Sequence, residues 1–164
     1  MSVTNQQAGR QGASSDLDIV LNAAVWLINN AGVIGDLWSR LTGGVTNVKE
    51  WVNQTGQEIE VFKIDGGGIQ DHYRIPPGQT RSGDMWIPWA ESDADYARHH
   101  TTFMIGGKPL AYVWQSAKVM RFNIVDAFVP GGTPVVGASG GGGNRRVLFG
   151  TDPQGVSAFA VSVF

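Results

Sequence analysis

Between Asp18 and Asp36 the chain carries no charged residue, and this run restricts the fold more than any other stretch. From Asp16 it reads DLDIVLNAAVWLINNAGVIGDLWSRL. At helical spacing Leu17, Val20, Leu21, Ala24, Leu27, Ile28, Ala31, Ile34, Trp38 and Leu41 share one face. Asp18, Asn22, Asn29, Asp36 and Arg40 form a narrow polar stripe opposite. Ile19, Val25, Trp26, Val33 and Leu37 widen the apolar side further. Ser15 suits the helix start, with Asp18 in a capping-box-like place, and Gly43-Gly44 suit the end. Gly32 and Gly35 each weaken the middle by roughly 1 kcal/mol relative to Ala. The spacing therefore predicts one long apolar helix within 16–44.

Such a helix must be covered by its own domain, by another copy or by lipid. The uncharged run approaches the length of a membrane span, but Asn22, Asn29 and Asn30 inside it would need partners in hydrocarbon. Leu27, Ile34 and Trp38 are the expected membrane or oligomer contacts, and a homo-oligomer is expected. Ahead of the helix, residues 1–15 are rich in Gln, Gly and Ser and read as a flexible polar arm.

After Gly44 the period changes to two. Residues 45–52, 58–64, 69–75, 80–86, 101–105, 110–115, 118–125, 145–149 and 156–164 read as short strands, separated by turns such as Asp65-Gly66-Gly67-Gly68 and Pro76-Pro77-Gly78. Only 16% of the 164 residues are charged and 23 are glycine, which suits a β body with tight loops. The expected fold is mainly β. Residues 45–164 form an antiparallel β-sandwich or jelly-roll-like body of about eight strands, one globular unit with the helix.

The run NQTGQEIEVFKID (53–65) followed by HYRIPPGQT (72–80) resembles the β-domain of the von Hippel-Lindau protein type. That resemblance implies a strand pair leading to a proline-glycine turn and carries over none of that family's partner-binding residues. The order of apolar helix and then sandwich is similar to that of actinoporins, with no matching motif beyond the order.

The formal net charge of −2 gives no basic field, so nucleic acid is not an expected partner. Without cysteine there are no disulfides, thiolate metal sites or cysteine nucleophiles. No signal peptide is read in MSVTNQQAGR, and the expected location is cytoplasmic, or outside by a route without a signal.

Chemistry-bearing residues concentrate in 83–100. Trp86, Trp89 and Tyr96 lie near Glu91, Asp93, Asp95 and His99, a mixture that suits sugar binding. Indole and phenol rings stack on C–H faces while carboxylates accept hydroxyl protons. Pro88 between the tryptophans sets a rigid bend. Glu91, Asp93 and Asp95 alternate as in the first part of a calcium loop, but Tyr96 and Thr102 stand where Gly and Glu are needed, which leaves at most an irregular calcium site. His72, His99, His100 and Glu91 are metal-ligand types, although adjacent His residues on a strand point to opposite faces. Gly140–Gly143 lacks the Lys-Ser/Thr ending of a phosphate loop, and Asn53-Gln54-Thr55 matches a glycosylation sequon.

The leading expectation is a non-catalytic, lectin-like protein that binds a glycan or polar (lipid) headgroup. The first alternative is a membrane-active, toxin-like or self-assembling protein using its helix. The second is a metal-dependent jelly-roll enzyme. No cofactor is expected beyond that calcium site.

Overall fold

The structure, a computed structural model, describes residues 2–30, 45–129 and 132–164, with side chains from residue 16 onward. It begins with helix α1 (Ser2–Asn30). The strands β1 (Thr46–Asn53), β2 (Ile59–Asp65), β3 (Gly68–Ile75) and β4 (Thr80–Trp86) follow. A short helix α2 (Asp93–Arg98) precedes β5 (His100–Ile105), β6 (Lys108–Ser116), β7 (Val119–Asn123), β8 (Thr133–Pro134), β9 (Gly143–Thr151) and β10 (Ser157–Val163).

The ten strands form a four-stranded sheet, β10-β9-β1-β4, and a six-stranded sheet, β3-β2-β5-β6-β7-β8. All these pairings are antiparallel except β1 with β9, which run parallel from Thr46↔Gly143 to Asn53↔Phe149. The expected body is therefore correct as mainly β, with more strands than foreseen and one parallel pair inside the smaller sheet. β8 is only two residues long, too short for an alternating pattern to reveal.

The sheets pack face to face, sandwich-like, through an aromatic centre. Trp51 of β1 stacks on Phe149 of β9 and meets Phe103 of β5 edge-on, at centroid distances of 6.3 and 5.7 Å. Phe159 of β10 reaches Phe103 and Phe122 across the same interface. Strand periodicity selects this face: Phe159 and Val161 point into the core, while Ala158, Ala160 and Ser162 point to the other side.

That other side is the floor for α1. Leu27 and Ile28 pack with Leu148 and Ala160, and Ala23 and Ala24 with Ala158. A side chain at Gly150 would come within 2.4 Å of Leu27 Cδ1, so the bare backbone there lets the helix sit close. The inner face read from the sequence is the one that is covered: Leu17, Val20 and Leu21 are half-buried, and Ala24, Leu27 and Ile28 are buried.

Two corrections concern the helix. Its start is Ser2 rather than the Ser15 cap, consistent with the good helix formers Gln6, Gln7, Ala8, Arg10, Gln11 and Ala13. Leu27, expected at a membrane or subunit contact, is instead 3% exposed against this chain's own sheet. Among the described residues, no helix is long and apolar enough to cross a membrane. Ile34, Trp38 and the expected helix end lie outside the described residues.

Two polar knots fix the ends of the body. Asn53 is buried; its Nδ2 donates to the carbonyls of Gln57 (2.8 Å) and Ile75 (2.9 Å), and its Oδ1 accepts from Thr55 N–H and Oγ1–H. With its amide nitrogen so engaged, the sequon at 53–55 is a turn device in the folded chain rather than a glycan acceptor. The buried Arg145 donates to the carbonyls of Ala138 (2.9 Å), Gly140 (2.9 Å) and Asn144 (3.0 Å). The glycine loop thus turns carbonyls onto a guanidinium, the reverse of a phosphate cradle, where backbone N–H groups point inward.

Candidate functional site

The segment that leaves β4 crosses from one sheet to the other. Ile87 N–H donates to Thr46 O (3.0 Å), Gln115 N–H to Pro88 O (2.8 Å) and Ala90 N–H to Gln115 O (3.0 Å). The buried Gln115 side chain adds a further tie, its Oε1 accepting from Thr46 N–H at 2.7 Å. Residues 86–90 are thereby pinned to β1 on one side and β6 on the other. Pro88 donates nothing, so it suits a crossing strap whose next residue, Trp89, makes only an isolated bridge.

Beneath this strap lies a cleft of about 350 Å³, lined by Val45, Lys63, Asp65, Trp86, Ile87, Pro88, Trp89 and His99. Its volume falls in the range of small-molecule sites. Trp86 is 48% exposed and Trp89 half-buried. The polar wall comes from the end of β2 and from the residue that caps α2. His99 Nδ1 lies 2.8 Å from Asp65 Oδ1, and Lys63 Nζ lies 3.9 Å from Asp65 Oδ2. Along β2, Ile59 and Val61 face the core, and Lys63 and Asp65 continue that face to the mouth of the sandwich.

Of the seven residues expected to bind a ligand, the cleft gathers Trp86, Trp89 and His99. The other four are placed elsewhere. The Asp95 carboxylate accepts from Glu91 N–H at 3.2 Å, and Asp95 N–H donates to Ser92 Oγ at 3.1 Å, which together start α2. Glu91 accepts from Ser116 Oγ–H at 2.9 Å, fastening the strap to the end of β6. Asp93 sits in the exposed first turn of α2.

Tyr96 is buried in a satellite cluster with Ala90 and Trp114, and its hydroxyl donates to Asp126 Oδ1 at 2.7 Å. Burial first, and then that carboxylate, hold the Tyr96 hydroxyl proton well above the ordinary tyrosine range. Tyr112 is shifted in the same direction, again chiefly by desolvation.

The histidines are also separated. His72 bonds Glu60 at 2.9 Å on the outer face and stacks on Phe62. His100 turns away from His99, stacking on Tyr96 with its Nδ1 2.7 Å from Tyr96 O. Among the described residues, no group of three His, Asp or Glu side chains is arranged to hold a metal ion.

Lys63 and Asp65 were missed because they lie in a different strand from the loaded stretch. A signal was present: both follow Ile59 and Val61 on the core-facing phase of β2, where charge is uncommon. Fold and cleft together define a two-sheet, mainly β protein with a tryptophan-flanked, largely apolar cleft that has one charged wall, at one end of its core. The chain matches no family model, no curated protein and no solved structure, so neither resemblance read from the sequence becomes a family assignment.

Proposed function

We propose that this protein is a non-catalytic, lectin-like binding protein that receives a sugar unit in the cleft beneath residues 86–90. The observation that carries the reading is the meeting of Trp86 and Trp89 with Lys63, Asp65 and His99 around one cavity. Indole faces cover the C–H side of a pyranose, and the charged and imidazole groups exchange hydrogen bonds with its hydroxyls. The strap is held to both sheets by backbone bonds, so the tryptophans are carried on a fixed platform, which lowers the ordering cost of binding. A glycan array with the intact chain tests this. Wild type is expected to bind a subset of sugars, and Trp89→Ala to weaken that binding roughly tenfold or more. Absence of wild-type binding to every sugar would remove the reading.

A second reading, self-assembly or membrane attachment through α1, has its own observation. Ile19, Val25 and Trp26 are exposed at 47, 46 and 37% on the helix side that faces away from the sheet. Covering them with a second copy or with an acyl interface would remove apolar surface from water. Under this reading wild type sediments as an oligomer or with zwitterionic liposomes, and Trp26→Glu with Ile19→Glu returns it to a free monomer. Identical sedimentation of both proteins as monomers would dismiss it.

A further inference from the structure

Lys63 is the least exposed charged group of the cleft, with one-tenth of its side chain accessible. Its ammonium carries three donors. Among the described residues, no acceptor lies within hydrogen-bonding distance of it; the one ion pair, to Asp65, is 3.9 Å long. Asp65 is meanwhile engaged by His99 at 2.8 Å. The aspartate offsets the lysine's charge without filling its donors, and an ammonium in such a place is stabilised by an acceptor brought from outside.

From this geometry we infer that the sugar bound in the cleft carries a carboxylate, which accepts directly from Lys63. The inference rests on the binding reading above and narrows its ligand class. The charge count selects the kind of anion. Lys63 and Asp65 sum to zero, so a doubly charged phosphate ester would bring excess negative charge beside the Asp65 carboxylate, whereas a single carboxylate adds one charge against three donors that no acceptor among the described residues fills. Trp86, Trp89, Ile87 and Pro88 supply the apolar wall that a bare carboxylate would not need and a sugar ring does.

The test is titration calorimetry of the full chain with methyl glucuronide, methyl glucoside and methyl glucoside 6-phosphate. These probes share a ring and differ in the charged group. Wild type is expected to prefer the glucuronide over the glucoside roughly tenfold, the usual size of one charge-assisted hydrogen bond. The phosphate ester is expected to bind no better than the glucoside. In Lys63→Met, which keeps the length of the side chain without its charge, the ratio of glucuronide to glucoside affinity is expected to fall to about one. Circular dichroism melting checks that this variant folds, and the wild-type ratio stands without it. Equal affinity for glucuronide and glucoside, or preference for the phosphate, overturns the carboxylate and leaves the sugar site standing. If none of the three probes binds and the glycan array is also blank, both readings fall.

Discussion

Trp51→Ala is expected to reduce the unfolding free energy by about 3–5 kcal/mol, the range for deleting a large aromatic from a packed interior. Trp51 is fully buried and belongs to the central strand pair of the smaller sheet. Its indole touches Phe149 within that sheet and Phe103 and Tyr73 from the facing one, at 6.3, 5.7 and 6.2 Å between ring centres. Truncation leaves a void between two rigid sheets that can close little, so the lost transfer energy and the cavity term add. For a chain of this length the melting temperature should fall by roughly 10 °C. Trp51→Phe should cost much less. It retains most of the ring contact and removes an indole N–H that meets no acceptor among the described residues. Urea unfolding of the three proteins decides the matter. A loss below about 1 kcal/mol for the alanine variant would mean that the two sheets do not share this core.

Gly137→Ala should cost about 4 kcal/mol, from backbone strain and a direct overlap together. Gly137 has φ +103°, a region that side-chain-bearing residues avoid, and a Cβ there would meet Val161 O at 2.0 Å. The contact cannot relax by turning a side chain, because Val161 O is held by Ala138 N–H at 2.8 Å and Val161 N–H by Val136 O at 2.9 Å. To admit the methyl group, the segment after β8 must lift from β10, breaking the bridge between Gly137 and Val161. Gly56→Ala is the matched control, since its added methyl meets nothing within 4 Å. Thermal melts should separate the two variants by roughly 10 °C, and coincident melts would refute the close approach.

How much of this could be read from the chain follows from the range of each interaction. Alternation within a strand is local, so the strand segments from 45–52 to 156–164 are legible to within a few residues. The inner face of α1 is legible for the same reason. The small residues Ala158 and Ala160, alternating with Phe159 and Val161, even mark the strand on which something must sit closely. Pairing is not local. Nothing near Thr46 announces that its neighbour is Gly143, so the parallel contact could not be foreseen.

The cleft divides in the same way. Trp86, Trp89 and His99 stand within one stretch and are visible together. Lys63 and Asp65 join them only because β2 and β5 pair with Ile64 opposite His100. Tyr96 looks like a ligand-facing ring until its hydroxyl partner, Asp126, arrives from beyond β7. Glu91 and Asp95 resemble a cation site in the sequence, yet the fold uses them to fasten a strap and cap a helix turn.

The parallel contact of β1 with β9 also governs the order in which the molecule can be made. A ribosome delivers β1 early, but its partner emerges only after nearly all the other strands. The larger sheet consists mostly of neighbouring hairpins that close cheaply as they appear, whereas the smaller sheet waits for a long loop to be drawn shut. Until then Trp51 lacks the ring of Phe149 beside it and the underside of α1 has no floor, and a nascent chain interrupted before residue 143 would present that helix face to whatever chaperone or sticky neighbour is at hand.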